Sequence, residues 1–193
     1  MEANELPLCR PHMYHRLIVL TFKRQIERLI GKLVLNQFAH SPPGTVTSVT
    51  LPTMKTALTF DNQFTSTLPS DSSDKNVRRQ LKNALYARVS PTPVAAPYLV
   101  AHASEVANLI GLTAEDITTS EFLQVFTGNQ QLVGMDPHAT CYGGHQFGNW
   151  AGQRGDGRAI NLGEVVTDTG HWMLQLKGAG PTPFSRTADG LAV

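Results

Sequence analysis

The sequence predicts an α+β chain, with helices gathered in the N-terminal half and an antiparallel sheet at the C-terminal end. Two patterns point there. Between residues 54 and 135 apolar residues recur at three- and four-residue spacing, the period of a helix packed on one side. From Tyr142 onward glycines crowd together and apolar residues alternate, the period of a half-buried strand. At 193 residues the chain is long enough for one domain of ordinary size with a real core. Its 16 basic residues nearly balance 15 acidic ones, so no nucleic-acid partner is expected. Cys9 and Cys141 are too few for a disulfide framework, and the chain reads as intracellular.

Residues 1–53 stand apart, with six Lys and Arg against three acidic residues, where residues 54–193 hold ten against twelve. Phe22, Ile26, Leu29, Ile30 and Leu33 fall at helical spacing, with Lys23, Arg24, Arg28 and Lys32 on the other side. The segment is read as a basic extension outside the fold, with Met54 as the functional start. A mitochondrial presequence is the alternative, against which its few serines weigh. The expected compartment is therefore the cytoplasm, with the mitochondrion as alternative. Leu17 to Leu20, the longest apolar run here, is too short to cross a membrane, and no membrane partner is expected.

The helical region spans residues 54–135. A first helix is predicted over about Asp74 to Tyr86, where Val77, Leu81, Ala84 and Leu85 make a stripe. Arg78, Arg79 and Lys82 lie on its other faces and read as a solvated surface, with a phosphate or protein contact as the alternative. Pro91, Pro93 and Pro97 enforce an extended crossing. A second helix is predicted over Leu99 to Leu109, with Leu99, Ala103, Val106, Ala107 and Ile110 on one side and Gly111 as its stop. A third begins after Thr113, whose hydroxyl can cap it, with Asp116 in the first turn. Ser120 restarts it, Phe122, Leu123 and Phe126 face a core, and Gly128 ends it.

The remaining stretch, residues 136–193, carries the chemistry. Asp156-Gly157 between two apolar-containing runs is a strong hairpin signal, because a tight primed turn needs positive φ. Ile160, Leu162 and Val166 share one face of the strand from Ala159. Asp168 to Gly170 makes the next turn. In the following strand Trp172, Leu174 and Leu176 share a face, and Met173, Gln175 and Lys177 share the other. A glycine-rich hairpin followed by a lysine on the next strand is also the ground plan of the protein-kinase small lobe. Glycines at 152, 155 and 157 let backbone N–H groups approach phosphate oxygens, and Arg158 can fork onto two of them. Two features oppose this. Asp156 repels phosphate unless it points away, and no glycine stands at 160. The residues alone leave a phosphate-binding hairpin and a plain structural one both open.

A resemblance favours the first. Tyr142-Gly-Gly-His-Gln-Phe-Gly, Trp150-Ala-Gly-Gln, Gly155-Asp-Gly-Arg-Ala-Ile, Leu176-Lys-Gly-Ala-Gly and Thr182-Pro-Phe-Ser-Arg closely resemble the selenoprotein O family. Phe60-Asp-Asn-Gln-Phe and Val89-Ser-Pro-Thr-Pro-Val-Ala-Ala-Pro resemble the family's start, so the likeness runs from about Met54 to Val193. It implies a kinase-like protein that binds ATP with magnesium and transfers AMP to hydroxyl side chains of protein substrates. Gly155, Gly157 and Arg158 match the loop that contacts the nucleotide. Lys177 matches the ATP-binding lysine, and Asp189 with Gly190 a further nucleotide-contacting pair. Leu191 falls where some members carry arginine. Members continue into a helix with the lysine's glutamate partner, phosphate-binding arginines, a catalytic Asp and metal-binding Asn and Asp. The resemblance thus implies a truncated small lobe, incomplete over residues 136–193 and inactive alone, with its catalytic base and magnesium ligands beyond Val193.

The alternative from another class is a non-enzymatic domain, either a protein-interaction module or one stabilised by zinc. His138, Cys141 and His145 fall within eight residues, but a tetrahedral structural site wants four ligands. Neither G-x-x-x-x-G-K-[ST] nor G-x-S-x-G occurs, which removes two other familiar chemistries.

Overall fold

The computed structural model describes the backbone of residues 16–21 and the whole of residues 52–186. The basic stripe from Phe22 to Leu33, and Asp189 with Gly190, lie outside the described residues. The architecture is α+β. Four short helices, α1 (Gln63–Thr67), α2 (Ser104–Leu109), α3 (Ala114–Ile117) and α4 (Ser120–Phe126), accompany six strands. These are β1 (Arg16–Thr21), β2 (Tyr86–Arg88), β3 (His138–Gln146), β4 (Asn149–Gly155), β5 (Ala159–Thr167) and β6 (Gly170–Lys177). The sheet order is β1-β6-β5-β3-β2, with β4 paired to β3. All pairs are antiparallel except β1 with β6, so the segment that the sequence reading set outside the fold supplies a parallel strand beside the lysine strand. No helix among the described residues is long and apolar enough to cross a membrane.

The core follows the two periodicities. Trp172, Leu174 and Leu176 are buried on one face of β6, as alternation requires, while Lys177 is exposed. They meet Ile160 and Val165 of β5 and, from α4, Phe122, Val125 and Phe126. Each such fully buried side chain stabilises the fold by roughly 2 kcal/mol. On β5 the expected face of Ile160, Leu162 and Val166 is corrected by a bulge. The register with β6 shifts between Asn161 and Gly163, so Val165 turns into the core and Val166 is only half-buried.

The bulge explains the Phe60-Asp-Asn-Gln-Phe motif. Asn62 accepts from Glu164 N–H (3.1 Å) and donates to Gly134 O (2.7 Å), while Phe64 N–H donates to the buried Glu164 carboxylate (2.7 Å). A Cβ on Gly163 would lie 2.9 Å from both Asn62 Oδ1 and Phe60 Cδ1, so the motif and the bulge fit only each other.

Two helix expectations are adjusted. Residues 74–85 hold no helix, and the segment ends instead in β2. Its would-be stripe is split, with Leu81 and Ala84 buried but Val77 and Leu85 exposed, and Asn83 takes a positive φ of 54°. The helix expected over Leu99 to Leu109 starts only at Ser104; Ala107 and Ile110 are buried, and Gly111 ends it at φ 82°. Thr113 caps α3 as expected, in a full capping box with Asp116, and the helix restarts at Ser120 as expected, capped by the Thr119 hydroxyl.

Candidate functional site

The primed turn stands elsewhere than expected. Gln146 pairs with Asn149 across Phe147 and Gly148, which carry φ of 50° and 77°, so this is the tight hairpin, joining β3 to β4. β4 pairs with the second half of β3, and β5 meets the start of β3 where Asn161 faces His138. Both strands are antiparallel to β3 and therefore run the same way. Asp156 to Arg158 is the kink between them, not a hairpin tip.

That kink is held from below, residue by residue. Thr182 Oγ1 donates to Asp156 O (2.6 Å), Ser185 Oγ donates to Gly157 O, and Gly178 N–H donates to Arg158 O (2.7 Å). Three consecutive carbonyls are thus fixed by the Thr182-Pro-Phe-Ser turn and the end of β6. Among the described residues nothing accepts from the N–H groups of Gly157 and Arg158. Fixed carbonyls with unengaged N–H groups leave this backbone able to receive an anion. Asp156 does not spoil it. Its carboxylate turns into the sheet, accepting from Thr140 N–H (2.9 Å), Thr140 Oγ1 and Asn161 Nδ2 (3.2 Å).

The kink lines a cleft of about 800 Å³. Gly155, Gly157 and Arg158 lie on it together with Arg78, Arg79, Arg154 and Arg186, and among the described residues no Asp or Glu lines it. Arg79 is neutralised by Asp71, and the other arginines of the lining still bias the cleft toward positive charge. Gly155 is set by close approach, since a Cβ there would sit 2.3 Å from the Phe184 ring and 2.6 Å from Thr140 O. Tyr142 donates its hydroxyl to Gly155 O (3.1 Å). Burial, helped by the nearby Asp156 charge, pushes its phenol above the usual range and keeps it a donor.

The structure brings Gly155, Gly157 and Arg158 together and places Lys177 beside them rather than among the lining residues. Lys177 faces Ala159 across the β5–β6 ladder, one residue from Arg158. Arg78 and Arg79 are a correction: the sequence assigned them to a solvated helix face, and without that helix both line the cleft. Gln153 and the Thr182–Ser185 turn were not singled out for a role; only side-chain geometry reveals one.

The zinc alternative finds no support. Among the described residues no three His, Cys, Asp or Glu side chains are placed to hold a metal. His138 is buried, with Nδ1 2.8 Å from Asp136 O and its ring stacked on Phe64 at 5.3 Å. Burial pushes it below the usual histidine range, as burial pushes the Cys141 thiol up.

The chain is similar to proteins named Protein nucleotidyltransferase YdiU. That of Azoarcus sp. (strain BH72) is 62% identical over 137 residues, covering 70% of this chain and 26% of the relative. That of Rhodopirellula baltica is 64% identical over 137 residues, 70% and 25% respectively. That of Xanthomonas euvesicatoria pv. vesicatoria is 57% identical over 139 residues, 72% and 27%. The chain thus spans about a quarter of the length of the curated relatives it matches. The family model described as Protein adenylyltransferase SelO matches residues 72–193, well over half of the sequence, and the chain belongs to that family.

Proposed function

We propose that residues 136–193 form the phosphate-holding part of an ATP site in a protein adenylyltransferase, laid out like the small lobe of a protein kinase. The observation that carries this is the arginine-lined cleft, with no Asp or Glu among its described lining residues, whose floor is the clamped Gly155–Arg158 kink. In this reading the N–H groups of Gly157 and Arg158 receive phosphate oxygens and the Arg158 guanidinium forks onto two of them. Lys177 reaches the phosphates from the neighbouring strand, and Asp189 with Gly190 complete the pocket. The reaction is transfer of AMP from ATP to a hydroxyl side chain of a protein substrate.

Transfer of this kind depends on positioning and on neutralising charge where it develops. The cleft supplies the cations and the cradle but no carboxylate, so the base and the ligands for magnesium must come from outside the described residues. By itself the chain holds nucleotide without transferring AMP. The test joins residues 1–193 to the rest of the Azoarcus relative and follows labelled AMP into protein. Incorporation by that fusion, lost on Lys177→Ala with folding retained, supports the reading. Undiminished incorporation by a folded Lys177→Ala fusion removes the lysine from it.

A further inference from the structure

Residues 71–81 run as a strap along one wall of the cleft and are tied down at three points. Asn76 donates its side-chain amide to Pro181 O (2.8 Å), and Arg79 N–H donates to Pro183 O (3.1 Å). Gln153 holds both main-chain groups of Leu81, accepting from its N–H at 2.7 Å and donating to its carbonyl at 2.9 Å. Arg79 is spent within the strap: its guanidinium binds the Asp71 carboxylate at 2.5 and 2.8 Å and donates to the carbonyls of Ser73, Lys75 and Val77. Its neighbour is different. Arg78 is exposed, lines the same cleft, and has no hydrogen-bond or ion-pair partner among the described residues.

Ordering a strap of irregular backbone costs conformational entropy at every residue. Here the anchors at Asn76, Arg79 and Leu81 bracket one arginine and hold its backbone in place while leaving its head open. A guanidinium presented on fixed backbone loses less freedom on forking to a phosphate than a freely moving one. Arg158 stands on the kink and Arg78 on the strap, so an anion in the cleft meets cations from two separate segments.

We propose that Arg78 is a further binding residue for the phosphate chain of the nucleotide, and that Gln153 is the positioning residue that holds its strap from β4. This rests on the nucleotide reading given above. Calorimetric titration of the full 193-residue chain with ATP, inorganic tripolyphosphate and adenosine tests it. Arg78→Ala weakens ATP and tripolyphosphate about tenfold, the loss of a charge-assisted hydrogen bond, and leaves adenosine unchanged. Arg78→Lys regains part of the loss, because charge returns without the fork. Gln153→Ala reproduces the tripolyphosphate loss with adenosine unchanged, whereas a merely structural role would weaken both. Should Gln153→Ala fail to fold, Arg78→Ala, whose side chain bonds no other described residue, still decides. A folded Gln153→Ala that binds tripolyphosphate like wild type overturns the positioning role. Arg78→Ala binding like wild type while Arg158→Ala loses ATP overturns the inference and leaves the nucleotide reading standing. A wild-type chain that binds neither ATP nor tripolyphosphate overturns both.

Discussion

Two charged regions of this molecule are built on opposite plans. On the helical side Asp116 is fully buried and its carboxylate accepts five hydrogen bonds, from the N–H groups of Lys55, Thr56 and Thr113 and the hydroxyls of Thr56 and Thr113, at 2.6 to 3.2 Å. In the cleft, neither Arg78 nor the N–H groups of Gly157 and Arg158 have a partner among the described residues. A saturated buried charge serves stability, because leaving any of its donors unpaired is costly. Like charges left without partners work against stability through self-repulsion. The same chain thus separates a charge that ties segments together from charges left open to the cleft.

The comparison is broken most directly at Asp116. Asp116→Ala strands five donors and should lower stability by about 3 kcal/mol in denaturant unfolding, without touching the cleft. Burial pushes the Asp116 carboxyl up, but the bonds from Thr56 and Thr113 outweigh it and hold the group well below the usual carboxylate range. Because the folded-state value is depressed, its contribution is complete above the unfolded value of about 3.9 and is lost as pH falls below it. Unfolding curves between pH 6 and pH 2 should show that loss in the wild type and a flatter profile in Asp116→Asn.

Gly155→Ala probes the boundary between the two plans. A methyl group there meets the Phe184 ring and the Thr140 carbonyl, so it should cost about 2 kcal/mol and disturb the kink as well. Lys177→Ala should be the mildest. Its side chain stands exposed on the face opposite Trp172, Leu174 and Leu176, so melting should report a change within about 0.5 kcal/mol. A large loss of stability there would move Lys177 into the structural class.

Legibility in the sequence followed the range of the interactions. The alternation of β6, the Asp168–Gly170 turn and the Thr113 cap were readable because each depends on residues within a few positions. Gly155, Gly157 and Arg158 do share one loop, but not the hairpin turn the sequence signalled. Asp156-Gly157 carries the usual hairpin signature, whereas the actual primed turn uses Phe147, a residue type that rarely takes positive φ. Residues 74–85 misled for another reason. Their helical stripe is overridden by bonds to partners as distant as Gln153 and Pro183, which local spacing does not encode. The cleft itself was illegible, since its arginines come from three separate stretches.

The central claim is that the clamped kink holds nucleotide phosphates, and affinity for ATP against adenosine tests it most directly. The chain should bind ATP well over tenfold more tightly than adenosine. Arg158→Ala should remove about tenfold of the ATP affinity while leaving the melting temperature unchanged. Equal affinity for ATP and adenosine, or a folded Arg158→Ala variant that binds ATP like the wild type, would contradict the account.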